Sequence, residues 1–534
     1  MANLVGDPKH HRSARWILAA FYFLLVVGGL TMIYPFWMML TRSISSELDY
    51  KDKALVPAYL YDRDELYLKF LTRRYPDFDL LRSVYGWEDI IRPIDFRGKI
   101  QAPEERPSAA LIADWGVFLK QNAEAPYMIL ADPATTRLIY QGFLREKFVG
   151  SEGSPDELLP IERMNLAYDQ MSTTFEFVNL PTRAFGHESG GDDAPRVFRD
   201  LSEFVAGLDA GKLLPINWDS QWQRWEARRG GGENSREQFL RESWPQSLQK
   251  EGDIISPLTD WRIFLKAKHG TDTALQAAWK DPQESLTTAQ LPYRQMDANL
   301  FVGHESELRW EMITENYITV MKFLLHRGRS IQNTVILVGL SVLIALTLNP
   351  LAAYGLSRFS GKHGRVPLLL MVMTIAFPAE VSMIPSFLLT RDLGLLNTYA
   401  ALVLPGAVSG FSIFLLKGFF DSLPEELFEA ARIDGASELL MFRTLALPLS
   451  APILAVTALG TFTAAYGGFM WALLVCQDPR MWTLMVWVFQ FQMNNSTQPW
   501  LGMAAFAIAS IPTLLVFIFC QRIILRGIII PIEK

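Results

Sequence analysis

The sequence predicts an all-α membrane domain of six transmembrane helices, with a large α+β insert between the first helix and the second. Apolar residues form 50% of the 534 residues, and they are concentrated at the two ends of the chain. One long apolar run precedes residue 42, and the others follow residue 330. The segment between them has the mixed composition of a soluble domain.

The first apolar run, residues 17–40, contains no charged residue. A helix needs about 20 apolar residues to cross a bilayer, so this run is long enough. Its apolar core is longer than that of a secretory signal, and no small-x-small cleavage site clearly follows it. We therefore interpret residues 1–41 as a cytoplasmic N-terminus followed by a retained transmembrane helix.

Comparable runs in the C-terminal part predict the remaining five spans, within a membrane core over residues 326–534. These runs are residues 334–356, 366–389, 399–416, 453–476 and 503–520.

The orientation of the spans follows from the basic residues near their ends, because cytoplasmic loops are enriched in Lys and Arg. With six spans, three basic groups fall on one side: Lys9, Arg12 and Arg15; Arg358, Lys362 and Arg365; Arg522 and Arg526. This pattern predicts that both termini are cytoplasmic and that the insert, residues 42–325, is external. The insert has more acidic than basic residues, which agrees with this orientation.

The insert has helical periodicity at residues 66–75, 198–208, 221–229, 236–244 and 261–270, whereas residues 128–143 alternate more like a hairpin. We predict an α+β domain in which helices dominate. Both cysteines, Cys476 and Cys520, lie at predicted span ends. The insert must therefore be held together by its core and not by disulfides.

A faint repeat runs through the insert. A Phe-Leu pair is followed by an aromatic residue and then by a proline, in three sets: Phe70-Leu71, Tyr85 and Pro93; Phe143-Leu144, Tyr168 and Pro181; Phe264-Leu265, Trp279 and Pro292. A helix that packs Phe-Leu against a later aromatic residue and is stopped by the proline would produce this pattern. Chance similarity among amphipathic helices is the alternative.

The chain shows no pattern of an enzyme. Gly361-Lys362-His363 lacks the spacing and the hydroxyl of a phosphate-binding loop, and the seven histidines have no metal-ligand spacing. The acidic pairs Asp192-Asp193 and Glu104-Glu105 are typical of a solvated surface. We expect no ATPase site, cofactor, metal ion or nucleic acid.

Residues 429–436, EAARIDGA, are too polar for a span but lie between two of them. Pro424 suits the first turn of a helix with Ser422 near its N-cap, and Glu425, Glu426 and Glu429 complement the positive end of its dipole. Gly435 can end that helix and allow a second helix to begin, which Pro448 and Pro452 would stop. The small residues and the carboxylate would form a surface that another protein can approach closely. An amphipathic connector on the membrane surface is the alternative.

These residues, with Phe442 and Leu447-Pro448-Leu449, resemble the coupling loop of binding-protein-dependent ABC importer permeases. Asn333, residues 352–359 and residues 393–399 narrow the resemblance to the carbohydrate-uptake group, like the smaller permease of maltose-type importers. The resemblance implies a multi-pass protein of the bacterial inner membrane whose coupling loop, at about 421–450, docks on an ATPase. It carries over the contact residues Glu429, Ala430, Ala431, Asp434, Gly435 and Ala436.

The resemblance also implies the partners and the cargo. The chain would pair with a second permease subunit, be driven by two ATP-binding cassette ATPase subunits and receive a sugar or related solute from an external solute-binding protein. The large insert is not explained by the resemblance.

Four residues are candidates for the transport pathway. Glu380 is a carboxylate within the third span, which is costly in lipid unless it faces a cavity or a partner. Tyr466, Phe469 and Trp471 stand where the family has a Trp-Asn pair, and their rings could stack on sugars. The alternatives are a position near the external mouth for Glu380 and ordinary packing for the three aromatic residues.

Two other functional classes remain open at this point. The chain could be a membrane-anchored sensor or enzyme whose insert carries the activity, although no catalytic constellation supports this. It could also be an exporter, which the resemblance of the coupling loop disfavours.

Overall fold

The computed structural model describes residues 12–149, 160–180, 196–216, 249–326, 329–358, 365–375 and 378–527, except residues 52–53, 76–77, 87–89, 91, 124, 126, 173–174, 176–177, 251–252 and 255. The chain forms two compact units. The membrane unit comprises Met1–Ser46 and Glu315–Lys534, and the second unit comprises Glu47–Thr314. The second unit falls within the range predicted for the insert, and we call it the insert unit.

The helices of the described residues are numbered in chain order. They are α1 (Arg12–Ser43), α2 (Glu47–Lys51), α3 (Arg63–Arg74), α4 (Phe78–Tyr85), α5 (Ala109–Gln121), α6 (Pro133–Val149), α7 (Pro160–Tyr168), α8 (Arg196–Ala206), α9 (Pro257–His269), α10 (Asp272–Trp279), α11 (Tyr293–Phe301), α12 (Glu305–His326), α13 (Ser330–Arg358), α14 (Arg365–Ile375), α15 (Ala379–Asp392), α16 (Tyr399–Val403), α17 (Gly410–Asp421), α18 (Glu425–Ile433), α19 (Glu438–Met441), α20 (Leu447–Leu449), α21 (Ala451–Gly467), α22 (Phe469–Val475), α23 (Leu484–Asn494) and α24 (Pro499–Gly527).

The insert unit is mainly helical, as predicted. Its strands, within the described residues, form two antiparallel pairs: β1 (Met128–Leu130) with β2 (Leu213–Pro215), and β3 (Gln249–Lys250) with β4 (Asp253–Ile254). In the first pair Ile129 lies opposite Leu214.

The predicted helices at 66–75, 198–208 and 261–270 are confirmed by α3, α8 and α9. Those at 221–229 and 236–244 lie outside the described residues. The predicted hairpin at 128–143 is wrong, because only β1 is extended and α6 begins at Pro133. Proline suits the first helical turn, where its missing N–H needs no partner. The strand that pairs with β1 is β2, which lies far along the chain.

A sequence pattern recurs on α3, α6 and α9. Each helix carries an aromatic residue, a Phe-Leu pair that begins three positions later and a basic residue four positions after the phenylalanine. The sets are Tyr67, Phe70, Leu71 and Arg74; Tyr140, Phe143, Leu144 and Lys147; Trp261, Phe264, Leu265 and Lys268. The three leucines are 0% exposed. Residues spaced by three and four positions lie on one face of a helix, so the pattern defines the face that packs inward.

Each basic residue is paired with a buried aspartate on another helix. We call this pair, together with the aromatic side chains around it, a node. The Arg74 Nε to Asp297 Oδ1 distance is 2.6 Å, Lys147 Nζ to Asp200 Oδ1 is 2.9 Å and Lys268 Nζ to Asp114 Oδ1 is 2.7 Å. The same aspartates accept a hydrogen bond from the last residue of the helix that follows the basic one. These donors are Tyr85 at 3.0 Å to Asp297, Tyr168 at 2.7 Å to Asp200 and Trp279 at 2.8 Å to Asp114.

A phenylalanine four residues after each aspartate packs against the aromatic residues of the same node. The ring centroids of Phe301 and Tyr67 are 4.8 Å apart, those of Phe204 and Tyr140 are 5.0 Å apart and those of Phe118 and Trp261 are 5.1 Å apart. The interplanar angles are 62°, 62° and 68°, so each pair meets edge to face. The insert unit therefore contains three copies of one three-helix arrangement.

The predicted repeat is present, but its aromatic residues and prolines have roles that differ from those predicted. Tyr85, Tyr168 and Trp279 end their helices and bind the aspartates. Pro93 and Pro292 do not stop a helix: the first begins a 3₁₀ turn and the second is the N-cap of α11, where a fixed φ favours helix initiation. Pro181 lies outside the described residues.

The first and third copies exchange their third helices. Helices α3 and α4 take their aspartate from α11, which follows the third copy in the chain, and α9 and α10 take theirs from α5, which follows the first. The middle copy, α6 and α7, uses the next helix, α8. The exchange links the two ends of the insert unit through ion pairs to buried aspartates, and the Arg74–Asp297 pair is buried on both sides.

Electrostatics differ among the nodes. Burial disfavours the charged form of Asp114, but hydrogen bonds from Lys268, Trp279 and His269 outweigh burial and hold its pKa below the usual range. In the Asp297 node, burial raises the pKa of Tyr85 well above its usual value. This phenol therefore remains a neutral donor.

In the membrane unit, α1, α13 and α24 are long and apolar enough to cross a membrane over Leu18–Ser43, Ser330–Arg358 and Pro499–Gln521. Two bent pairs also qualify if each is one span, Tyr399–Gly406 with Gly410–Asp421 and Glu438–Leu449 with Ala451–Gly467. The described residues thus contain between three and five spans by length and composition. The third predicted span is divided into α14 and α15 around residues 376–377, which lie outside the described residues, so six spans remains a prediction.

The fifth predicted span is interrupted at Gly468, between α21 and α22. A Cβ atom on Gly468 would lie 2.7 Å from the carbonyl oxygen of Ala464. Only glycine allows the backbone to approach so closely, so this break depends on the residue type.

Candidate functional site

The candidate site is the two-helix element, which we define as α18, the turn at Gly435 and α19. Pro424 is the N-cap of α18, and Glu425 and Glu426 in its first turn complement the helix dipole. The predicted role of Ser422 is wrong. Ser422 caps the C-terminus of α17, where its hydroxyl donates to the carbonyl oxygen of Phe419 at 2.6 Å, because that helix ends with unpaired carbonyl groups.

The turn has the hydrogen bonds of a Schellman motif. Gly435 has a φ of 79°, its N–H donates to the carbonyl oxygen of Arg432 at 3.0 Å, and the N–H of Ala436 donates to that of Ala431 at 2.9 Å. Ser437 then caps α19 by accepting a hydrogen bond from the N–H of Leu440. The predicted helix, glycine turn and second helix are confirmed.

One side of the element is open to solvent. Glu429, Ala430, Asp434 and Gly435 are exposed, whereas Ala431 and Ala436 are partly buried against the rest of the membrane unit. The six residues predicted as contacts therefore divide into an exposed set and a supporting set.

Two apolar residues missed by the sequence reasoning extend the exposed side. Ile433 is 87% exposed and Leu439 is 70% exposed. An exposed apolar pair on a polar element is typical of a surface that is covered by a partner. In the sequence, Ile433 stands just before the glycine turn and Leu439 just after Glu438, and these apolar residues beside polar ones were the signal that could have identified them.

The opposite side of the element is buried against the C-terminal end of α13. Phe428 is 1% exposed, and the guanidinium carbon of Arg358 lies 3.8 Å from the centre of its ring. The Tyr354 ring lies 6.3 Å from Phe428 and 5.1 Å from Phe442. The sequence identified Tyr354 and Arg358 as parts of a motif but assigned them no contact.

Glu438 joins the two helices of the element to each other and to α13. It accepts a hydrogen bond from the guanidinium of Arg432 at 3.2 Å and another from the hydroxyl of Tyr354 at 3.1 Å. The turn at Gly435 is therefore bridged by an ion pair between α18 and α19.

The segment after α19 differs from the prediction of one helix stopped by Pro448 and Pro452. A π-helical stretch, Phe442–Ala446, separates α19 from α20, and the chain bends by 79° between Glu438–Leu449 and α21. Pro448 lies in the first turn of α20 and Pro452 in the first turn of α21, where proline is tolerated. The bend itself falls at Ser450, which is fully buried.

The three aromatic residues predicted for the pathway do not form one cluster. The hydroxyl of Tyr466 donates to the carbonyl oxygen of Ala509 in α24 at 2.5 Å. The indole N–H of Trp471 donates to the carbonyl oxygen of Ala401 in α16 at 2.9 Å, and Phe469 packs near Phe489. Tyr466 lies in a different apolar cluster from the other two.

Glu380 lies in the first turn of α15, and its side chain is outside the described part of the chain. Its role in the pathway, like that of the three aromatic residues, stays a prediction.

A helical membrane unit with an exposed, polar two-helix element between its spans defines a membrane protein with a surface suited to a partner. Comparison with known proteins identifies the family. Residues 336–530 match the model of the binding-protein-dependent transport system inner membrane component family. The chain belongs to this family, and its relatives place it among the permeases of carbohydrate ABC importers.

The relatives include the trehalose/maltose transport system permease protein MalG of Thermococcus litoralis, which is 35% identical over 226 residues, 41% of this chain and 81% of the relative. The polygalacturonan/rhamnogalacturonan transport system permease protein YtcP of Bacillus subtilis is 35% identical over 207 residues, 36% of this chain and 71% of the relative. Such permeases are multi-pass inner-membrane transport components without an ATPase site of their own.

Among solved structures, the chain matches one of a bacterial ABC transporter involved in the import of the acidic polysaccharide alginate. The match has 28% identity and a TM-score of 0.35, and covers 39% of this chain and 78% of the other.

Proposed function

We propose that the chain forms half of the translocation pathway of an ATP-driven importer for a sugar or related solute. Its partners are a second permease subunit, two ATP-binding cassette ATPase subunits and an external solute-binding protein. The two-helix element receives the movement of one ATPase through Glu429, Ala430, Asp434 and Gly435, with Ala431 and Ala436 supporting the turn.

The observation that carries this proposal is the asymmetry of the element. One side exposes small, acidic and apolar residues together, and the other side is anchored through the buried Phe428. A partner can press on the exposed side, while the buried side transmits the displacement to the spans. An ordinary connector on the membrane surface needs no such anchor.

Assembly with the ATPase tests this role. We expect Glu429→Lys to reduce co-purification of a candidate ATPase encoded beside this chain, because the substitution reverses the charge at an exposed contact. Glu47→Lys makes the same change in the insert unit and should leave assembly unchanged. Full assembly and full transport of the Glu429→Lys variant would contradict the docking role.

The proposed orientation places the two-helix element in the cytoplasm and the insert unit outside, where the insert docks the binding protein or stabilises the assembly. In a chain with Cys476 and Cys520 replaced by serine, we expect Met171→Cys to react with a membrane-impermeant maleimide in spheroplasts. Met171 is fully exposed in the insert unit. Asp434→Cys should react only after permeabilisation. The reverse pattern would exclude this orientation.

A further inference from the structure

The two-helix element contacts α13 at two points that lie one helical turn apart. Tyr354 and Arg358 are separated by four residues, so their side chains lie on the same face of α13. Tyr354 holds α19 by donating to Glu438, and Arg358 holds α18 by stacking on Phe428. The two helices on either side of the Gly435 turn are therefore attached to a single turn of one span.

Both contacts restrict orientation as well as distance. The guanidinium of Arg358 lies with its carbon 3.8 Å from the centre of the Phe428 ring, and its Nη2 donates to the carbonyl oxygen of Phe420 at 3.1 Å. A planar guanidinium held at its face and at its edge has little rotational freedom. The Tyr354 ring is likewise confined, because it packs edge to face with Phe420 at 5.9 Å.

The two helices of the element are also joined to each other by a side-chain contact. The ion pair between Arg432 and Glu438 spans the turn, and Glu438 is the residue that Tyr354 holds. A force on the exposed side of α18 therefore reaches Glu438 through the ion pair and reaches Phe428 through the helix itself. Both routes converge on the C-terminal turn of α13.

The covalent route to the next span is less direct. From α19 the chain passes through the π-helical stretch and bends by 79° before α21 begins. A bend of this size changes the direction of an axial push. The side-chain contacts with α13 contain no comparable break.

We infer that Tyr354 and Arg358 are positioning residues that transfer the displacement of the two-helix element to α13. This inference rests on the proposed function and deepens it, because it names the span that receives the movement. The carboxylate of Glu438 is the shared acceptor, and Phe428 is the surface on which Arg358 rests. The exposed contact residues then begin the movement, and α13 carries it into the membrane unit.

The test uses the complete importer in proteoliposomes, with Cys476 and Cys520 replaced by serine and with Leu343→Cys as a reporter in α13. Leu343 is 59% exposed in the structure. The rate of its modification by N-ethylmaleimide is measured with and without trapping by ATP and vanadate. We expect trapping to change this rate in the parent protein.

In the Tyr354→Phe, Arg358→Lys double variant, we expect the ATPase to co-purify and to hydrolyse ATP, while trapping no longer changes the modification rate of the reporter. Phenylalanine removes only the hydroxyl group, and lysine keeps the charge but loses the planar stacking surface. Transport per ATP hydrolysed should fall about five-fold or more, in the range of typical coupling free energies.

Tyr399→Phe is the matched control. The hydroxyl of Tyr399 donates to Oδ1 of Asn333 in the first turn of α13 at 2.7 Å, so this variant deletes the same group from a contact with the other end of the same helix. It should keep the trapping response. An unchanged response in the double variant, an equal loss in Tyr399→Phe or a parent reporter that ignores trapping would each overturn the inference. Failure of the parent chain to bind the ATPase would instead reject the proposed function.

Discussion

Replacement of Gly435 by valine is expected to lower ATP-driven uptake by about ten-fold or more. At a φ of 79° a residue with a Cβ atom is strained, and the left-handed conformation costs about 1–2 kcal/mol for an ordinary residue. A β-branched side chain is restricted further. The Schellman turn would open, and Glu438 would lose its alignment with Arg432 and Tyr354. Uptake by vesicles and co-purification of the ATPase measure the effect.

Two controls separate strain from crowding. Apart from the adjacent backbone, no atom of the described residues lies within 4 Å of a Cβ placed on Gly435 or on Gly418 of α17, but only Gly435 of the two has a positive φ. Gly418→Val should therefore have a small effect, and Gly435→Asn should retain more activity than Gly435→Val, because asparagine tolerates the left-handed region. Equal losses in the two valine variants would show that the turn has no special role.

Asp297→Asn is expected to destabilise the insert unit by about 3–5 kcal/mol, the usual cost of removing one partner from a buried ion pair. Asp297 is 0% exposed and Arg74 is 5% exposed, so the substitution leaves a buried charge without its counterion. Tyr75 and Tyr85 both donate to Oδ2 of Asp297, at 2.7 and 3.0 Å, and the carbonyl oxygen of asparagine can still accept these hydrogen bonds. Thermal unfolding of the purified chain and hydrogen exchange of α3 and α11 report the loss.

The other nodes provide the comparison. Asp200→Asn should destabilise less, because the side chain of Lys147 is 23% exposed and can be hydrated. Adding Arg74→Met to Asp297→Asn should restore part of the stability by removing the uncompensated charge. If the two single aspartate variants lose equal stability, or if the methionine gives no recovery, burial of the Arg74 charge is not the main factor.

Because the first and third copies exchange their third helices, loss of the Asp297 node should affect segments that are far apart in the chain. This node joins α3, near the beginning of the insert unit, to α11, near its end. Its loss should therefore raise hydrogen exchange in both segments. The Asp200 node joins neighbouring helices in the chain, so its loss should affect only α6 to α8.

Local sequence was sufficient to predict the helix, the glycine turn and the second helix of the two-helix element. A proline and two glutamates predict the start of α18, and a glycine after a short helix predicts its end, because these effects act within one turn of the chain. The bend after Leu449 and the π-helical stretch before it were not predicted, since proline within the first turn of a helix and proline after its end leave similar signals.

The repeat in the insert unit was likewise predicted only in part. The spacing of Phe-Leu and the following aromatic residue is visible along the chain, but the aspartates are separated from their basic partners by 223 residues for Arg74 and 154 residues for Lys268. The aspartate and the phenylalanine four positions later look like ordinary surface and core residues when read alone. Their role depends on the partner helix.

For this protein, the sequence by itself determined which segments are apolar, that α18 ends at a glycine turn and which short element carries small and acidic residues beside that glycine. These properties depend on neighbouring residues. Only the tertiary structure decided that copies one and three of the insert unit exchange helices, and that Tyr354 and Arg358 hold both sides of the Gly435 turn. Helical periodicity specifies the face that is buried but not the partner that buries it, because that choice depends on packing between distant segments.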